Sequence, residues 1–424
     1  MDGEVKRNRE DSVSDEFAGQ EQDVFNESPE CEIKYKTLSW QVGTPFYFSN
    51  IPQRVLLALG LTSWLLTIPV SGIAPALILI VFLGVFGLYT AKILIDFKLH
   101  HPSVHNMGDA GYILGGPVLR EVLGFGTIIF AIFATGGELI SGQQALSILS
   151  NDGICSVFLV LIFAAATFSL SLPRTLGGLS WLGLLSTALI ILSGIVGMIG
   201  AGARPVSGRV INATMRNSFY EAFLAVTNPA AWCLQGFATI FYALFALVVY
   251  LYMGDTVQSP AFLSLSPKWA KAAFAIALGN FLIAGSLYIH TAAKLVYVRN
   301  FRHTRHISSH TILGWTVWII LCLGSTAIAF VLAVALPIFS YLIGITASLF
   351  AAWYTYGLAG FFWLHDTYRL RESWKGLLER PFGMTTAILT ILAGAFICVA
   401  GTYVSVQLII NAYREGIVGS PFTC

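Results

Sequence analysis

The chain has 424 residues, of which 56% are hydrophobic and 11% are charged, and its mean hydropathy is +0.74. Soluble domains carry roughly a quarter charged residues, so this composition excludes an ordinary soluble protein. Long uncharged runs, each able to cross a bilayer, predict one polytopic membrane protein.

The N-terminal segment differs in composition from the remainder. Eleven of the 22 acidic residues fall within the first 39 residues, where apolar side chains are scarce. Such a segment cannot bury enough apolar area to offset its ordering entropy. We therefore expect a disordered cytosolic tail over 1–40, a transmembrane domain over 41–413 and a short C-terminal tail over 414–424. No apolar core follows the first basic residues, so we expect no cleaved signal peptide.

The apolar runs predict an all-α fold with about ten transmembrane helices, because each run offers about 20 residues between charged or Pro/Gly-rich breaks. The first is abnormally short. The predicted spans are 54–70, 74–95, 122–149, 154–172, 180–201, 233–253, 272–296, 312–335, 338–364 and 384–410.

Basic residues in short loops predict the orientation, because they favour the cytosolic side. They place the loop after the second span, the Arg174 loop, the turn near 300 and the segment 366–381 in the cytosol. The loop 202–218 then lies outside, where the sequon Asn212-Ala213-Thr214 predicts glycosylation at Asn212.

At one place in the chain the number of predicted membrane crossings disagrees with the orientation that the loop charges predict. Passing from outside at 218 to the cytosol at 299 requires an odd number of crossings, but two clear spans lie between. The intervening segment 219–232 is apolar but short, with the length of half a helix, and it contains Glu221, Asn228 and Pro229.

Seven segments carry motifs of a known kind: 32–40, 101–111, 172–175, 267–272, Gly279–Thr291, 302–306 and 337–344. They resemble the fungal neutral amino acid permeases of the amino acid/auxin permease family, and the resemblance covers about four-fifths of the chain. It implies an eleven-helix permease with the inverted-repeat, leucine-transporter-like fold, usually driven by a proton or sodium gradient. Here that fold is expected to be incomplete, because 41–54 diverges from the family's first helix and the sixth helix is missing after Asn228-Pro229.

Glu138 is the one acidic residue deep inside a clear predicted span. A carboxylate there is costly, so intramembrane ionisable groups are functional candidates. We predict a role in proton coupling or in binding a substrate amine; the alternative is a protonated side chain bonded to a neighbouring helix. Gly136 and Gly137 would let another helix approach closely.

The span 272–296 places Asn280, Ser286, His290 and Thr291 in a hydrocarbon environment, where each polar group needs a partner. The resemblance implies that this helix contributes to the substrate and ion site. Interhelical hydrogen bonding is the alternative.

Other histidines and motifs carry less information. His101 and His105 are four residues apart, which is a metal-binding spacing on a helix. Because Pro102 lies between them, we interpret the segment as a solvated loop and predict no metal site. His303, His306 and His310 lie among arginines and are interpreted as an inner-face charge cluster, which could also touch anionic lipid head groups. No hydrolase or P-loop motif occurs, so we predict no enzyme.

Together the residues and the resemblance predict secondary active transport of neutral amino acids, with aromatic and bulky aliphatic ones as the candidate substrates. The expected coupling ion is H+, with no other cofactor. The expected partners are an amino acid substrate and membrane lipid, not nucleic acid, and the expected location is the plasma membrane rather than the vacuolar membrane. The alternative is a non-transporting relative, a nutrient sensor or scaffold, or a truncated gene model with impaired transport.

Overall fold

The structure is a computed structural model that describes residues 73–101, 104, 106–174, 180–208, 232–254, 257–258, 260–301, 304–307, 309–335, 339–371 and 378–414. The two predicted tails, the first predicted span, the divergent segment 41–54 and Asn212 lie outside these residues.

Within the described residues the chain forms nine helices. Helix α8 has three parts: the α-helix Phe339–Thr346, the π-helical segment Ala347–Gly357 and the α-helix Leu358–Arg371. The others are α1 (Ile73–His100), α2 (Met107–Leu149), α3 (Ser156–Ser171), α4 (Ser180–Ala203), α5 (Trp232–Met253), α6 (Pro267–Phe301), α7 (Ile312–Ala335) and α9 (Pro381–Arg414).

These nine helices correspond to the second to tenth predicted spans, so the prediction of an all-α polytopic membrane protein is confirmed. In the described part, six helices are long and apolar enough to cross a membrane: α2, α4, α6, α7, α8 and α9. Large apolar side chains remain exposed on the outer helices, for example Ile320 in α7 and Val399 in α9. Such faces suit contact with lipid tails.

Helix α2 begins at Met107, well before the predicted start at 122, because a short helical segment precedes the long one. The backbone leaves the helical region at Gly115 and Gly116, and Gly116 has a φ of 71°, which favours glycine. Pro117 then begins the long segment. The Asn106 side chain accepts a hydrogen bond from the Asp109 backbone N–H at 3.0 Å and so caps the short segment.

Helices α4 and α6 pack antiparallel along a seam of small residues. The Ser186 hydroxyl donates to Asn280 Oδ1 at 2.6 Å, and seven residues later the Ser193 hydroxyl donates to the Ala273 carbonyl at 2.9 Å. A further seven residues on, a Cβ at Gly200 would lie 2.7 Å from the Trp269 Cβ. Small and hydroxyl-bearing residues let helix backbones approach closely in membranes.

Helices α4 and α5 pack side by side in the same direction. A Cβ at Gly194 would lie 2.8 Å from the Phe241 ring, and a Cβ at Gly202 would lie 3.5 Å from the Tyr252 ring. At the ends of both helices, the Val206 backbone N–H donates to the Tyr252 carbonyl at 3.0 Å. Residues 208 and 232 therefore lie at opposite ends of this helix pair.

This parallel packing agrees with the odd number of crossings that the charges require between 218 and 299. Residues 208 and 232 lie at opposite ends of the helix pair, and 209–231 lie outside the described residues. Polar contacts also join parts of the chain that the charges place together in the cytosol: Arg299 near the end of α6 pairs with Glu121 of α2 at 2.6 Å, and Arg174 donates to the His306 carbonyl at 2.8 Å.

Candidate functional site

The predicted carboxylate, Glu138, lies where helices α2, α3 and α6 meet. Its side chain is buried. Gly285 of α6 makes this meeting possible, because a Cβ there would lie 3.0 Å from Thr167 Cγ2 on α3 and 3.4 Å from Glu138 Cβ. Gly285 is near the middle of α6, roughly 24–27 Å from either end at 1.5 Å per residue. Glu138 therefore lies at mid-depth in the helix bundle.

Gly136 and Gly137 bring two further helices against the same turn of α2. A Cβ at Gly136 would lie 3.2 Å from Leu342 Cδ2 on α8 and 3.4 Å from the Ala329 carbonyl on α7. A Cβ at Gly137 would lie 3.5 Å from Ile343 Cγ1. These contacts agree with the prediction that the two glycines permit close helix approach.

The π-helical middle of α8 was not foreseen from the sequence. It spans Ala347–Gly357 and begins one turn after the residues that face Gly136 and Gly137. The π-helical segment packs on α2 nearer the start of that helix than Gly136, where the Tyr354 hydroxyl donates to the Leu123 carbonyl at 2.9 Å. π-Helical segments are rare and are frequently found at functional sites. Hydropathy could not indicate the π-helical segment, because its residues would be equally apolar in an α-helix.

The polar residues of α6 do not form one group. Asn280 is bonded to Ser186 and faces α4, which fits the interhelical alternative. The hydroxyls of Ser286 and Thr291 donate to carbonyls of their own helix, those of Ile283 and Leu287. Of the predicted site residues, the structure brings together Gly136, Gly137 and Glu138 with the part of α6 around Gly285 and Ser286.

His290 lies about 7–8 Å further along α6 than Gly285 at 1.5 Å per residue. Its side chain is fully buried, and its ring meets the Trp318 ring edge-on at a centroid distance of 5.0 Å. Neither ring nitrogen makes a hydrogen bond of normal length and angle within the described residues, although backbone groups of Pro173 and Arg174 lie close by. The ring thus belongs to the packing between α6, α7 and the end of α3, not to the Glu138 group.

Arg174 was interpreted from the sequence only as a cytosolic loop charge, but it is a buried structural residue, 3% exposed. Its Nη2 donates to the Tyr297 hydroxyl at 2.7 Å and to the His306 carbonyl at 2.8 Å. Its guanidinium lies 4.9 Å from the Tyr297 ring centre and 5.4 Å from that of Trp315. The side chain therefore fastens the loop after α3 to α6, to the 304–309 turn and to α7.

The interpretation of His101 as part of a solvated loop is wrong. The His101 side chain is 16% exposed, and its Nε2 lies 3.0 Å from Asp366 Oδ1 on α8. The neighbouring His100 and His365 also contact Asp366, at 2.8 Å and 3.2 Å. We name His100, His101, His365 and Asp366 the histidine–aspartate cluster. Sequence reasoning missed it because its two halves are more than 260 residues apart.

Buried charge at mid-depth is scarce. Among the described Asp, Glu, Lys, Arg and His residues, Asp109, Glu138, Arg174 and His290 are buried and Lys294, nearer the Phe301 end of α6 than His290, is partly buried. Asp109 is near the start of α2, Arg174 is in a loop, and His290 is displaced from the middle of α6 toward its Phe301 end. Glu138 is thus the group at mid-depth that can exchange a proton or pair with a cationic amine.

Comparison with known proteins gives one family. The family model for transmembrane amino acid transporter proteins matches residues 59–230 and 210–407. A protein named transmembrane transporter from Gibberella moniliformis is 28% identical over 449 residues, which cover 97% of this chain and 92% of that protein. The N amino acid transport system protein of Neurospora crassa is 27% identical over 439 residues, covering 95% and 92% respectively.

Two details of these matches coincide with the departures seen in the sequence. The family match begins at 59, after the divergent 41–54, and its two parts overlap over 210–230, which includes much of the irregular segment 219–232. Both alignments are longer than the 424 residues of the chain. The relatives therefore contain residues that have no counterpart here.

Proposed function

Because the chain belongs to the transmembrane amino acid transporter family, we propose that it carries neutral amino acids across a membrane in symport with a proton. Membership of the family supports a multi-pass membrane protein that transports amino acids. The neutral substrate and the proton are the proposed refinements, and the arrangement around Glu138 supports both.

The buried carboxylate at mid-depth is the observation that carries the proposal. An ionised carboxylate in this environment is costly, so Glu138 is favoured when it holds a proton or faces a cation. The ammonium group of an amino acid is such a cation. A carboxylate that takes up a proton as the substrate binds, so that both are carried together, would couple the two fluxes in the same direction.

The scarcity of buried charge supports a neutral substrate. A substrate with a charged side chain would bring an additional charge to mid-depth, and that charge would need an additional protein partner. Within the described residues, Glu138 alone offers a carboxylate there. The helices around it contribute glycine, leucine and isoleucine, which suit an apolar or aromatic side chain.

Uptake measurements test the proposal. The chain, Glu138→Gln and the control Glu121→Gln are expressed in a permease-deficient yeast, and uptake of labelled neutral amino acids is followed as external pH is lowered. Glu121 is a suitable control because it lies on the same helix but is 53% exposed. We expect uptake to rise with acidity in the parent and in Glu121→Gln. In Glu138→Gln we expect uptake about tenfold lower, ~1.4 kcal/mol, without the pH response.

Two results would contradict the proposal. One is an unchanged proton dependence in Glu138→Gln, which removes the coupling role. The other is absence of amino acid uptake from parent protein that has reached the membrane. A fluorescent C-terminal fusion establishes that location and also tests the proposed plasma membrane placement against the vacuolar one.

A second candidate function is favoured by the alignments. Because the relatives contain residues that are absent here, a chain that binds an amino acid and reports it without carrying it is the alternative. Sequencing the transcript across codons 40–72 and 229–235 separates the two. If the transcript contains the missing segments, the protein is best explained as a transporter. If the transcript confirms this sequence, a sensor or an impaired carrier is favoured.

A further inference from the structure

We propose that His101, His365 and Asp366 form a binding site for a divalent transition-metal ion of the zinc type. The three residues lie where α1 and α8 end on the cytosolic side, at the opposite end of α8 from the residues that face Gly136 and Gly137. The site is therefore separate from the proposed transport site.

The ligand spacing suits a small tetrahedral ion. Asp366 Oδ1 lies 3.0 Å from His101 Nε2 and 3.2 Å from His365 Nδ1, and one ligand atom from each residue falls within 4.8 Å of the others. Zinc binds histidine nitrogen and carboxylate oxygen at about 2.0–2.2 Å, which puts neighbouring ligand atoms of a tetrahedron roughly 3.3–3.4 Å apart. The two distances to the carboxylate oxygen are thus within a few tenths of an ångström of the tetrahedral value, and the two histidine nitrogens lie within 4.8 Å of each other.

The surroundings hold the ligands in place. The Phe97 ring lies 4.5 Å from the His101 ring and is stacked on Phe362 at 4.2 Å. The other carboxylate oxygen of Asp366 is held by His100 Nδ1 at 2.8 Å. Partners that orient a ligating group in this way commonly accompany protein metal sites.

The donor set selects the class of ion. Two imidazoles and one carboxylate suit zinc and similar transition metals, whereas magnesium and calcium prefer sites made wholly of oxygen. Three protein ligands leave a fourth position for water. Since the ligands come from two helices, an ion would join the end of α1 to the end of α8.

Binding is tested on the purified full chain in detergent, with an affinity tag that contains no histidine. Zinc chloride is titrated by calorimetry, with magnesium chloride as the comparison ion, and thermal unfolding is followed in parallel. We expect one zinc ion per chain, no magnesium binding, and an unfolding midpoint that rises with zinc. A ligand that binds only the folded state stabilises it by an amount that rises with the logarithm of the free ligand concentration above Kd.

Variants locate the site. His101→Ala and His365→Ala are each expected to weaken zinc binding at least about tenfold, because each removes a direct ligand. His310→Ala is the control, since that histidine packs on Trp315 in a different loop, and it should bind zinc like the parent. If an alanine variant does not fold, Asp366→Asn removes the charged ligand at constant size. No zinc-dependent heat or midpoint shift in the parent, or unchanged zinc affinity in the ligand variants, overturns the proposal.

Discussion

Replacement of Arg174 by alanine should destabilise the protein far more than loss of an ordinary loop arginine. The side chain makes two short hydrogen bonds, to the Tyr297 hydroxyl and the His306 carbonyl. Hydrogen bonds from a charged donor contribute about 1.5–3 kcal/mol each. Part of this stabilisation remains in the variant, because the Tyr297 hydroxyl also donates to the His306 carbonyl. We therefore expect Arg174→Ala to lower the free energy of unfolding by about 3–5 kcal/mol.

The measurement is the unfolding midpoint of the purified protein in detergent. Arg174→Lys should fall between the parent and Arg174→Ala, because lysine keeps the charge but lacks the planar fork that reaches two acceptors. Arg299→Ala is the matched control. Its ion pair with Glu121 is about half exposed on both sides, and such pairs contribute roughly 0–1 kcal/mol.

The reasoning is refuted if Arg174→Ala and Arg299→Ala unfold at the same midpoint. A double-mutant cycle of Arg174→Ala with Tyr297→Phe sharpens the test. Residues in direct contact should show a coupling free energy of about 0.5–3 kcal/mol, and strict additivity would mean that the 2.7 Å contact between them contributes nothing.

Two further predictions concern helix packing. Gly285→Val should lower amino acid uptake at least about tenfold at equal expression. A Cβ at Gly285 would already lie 3.0 Å from Thr167, so a branched side chain would force α3 and α6 apart. The control Gly324→Val should keep parental uptake, because a Cβ there would meet nothing within 4 Å. Ser186→Ala should lower the free energy of unfolding by about 1 kcal/mol through loss of the bond to Asn280, measured by detergent unfolding, and an unchanged midpoint would contradict it.

The spans could be predicted because length and apolarity are local properties of the sequence. Charge in short loops likewise indicated a missing crossing between 218 and 299, with 219–232 as the irregular segment. The start of α2 could not be predicted in this way, since Gly115, Gly116 and Pro117 interrupt the helical pattern and the short preceding segment contains charge. The Asn106 cap was the available signal, and it is visible only when the segment is considered as a helix.

Partners across the chain were largely beyond sequence reasoning. A helix in a bilayer is apolar on every side, so it has no polar face to indicate which side meets protein and which meets lipid. The pairing of Asn280 with Ser186 and of His101 with Asp366 therefore left no trace in the hydrophobic pattern. Gly136 and Gly137 were an exception, because small residues beside a buried acid indicate close approach whatever the neighbour is.

The parallel packing of α4 and α5 also constrains how the protein is made. Helix α5 can dock on α4 in the observed direction only after the chain has returned to the face from which α4 entered the membrane. If the messenger RNA lost the codons for 209–231, α5 would insert into the membrane in the opposite direction, and Tyr252 would lie far from Val206. Every later helix would then be inverted too, or expelled, and the basic turns near 300 and 370 would face the wrong compartment.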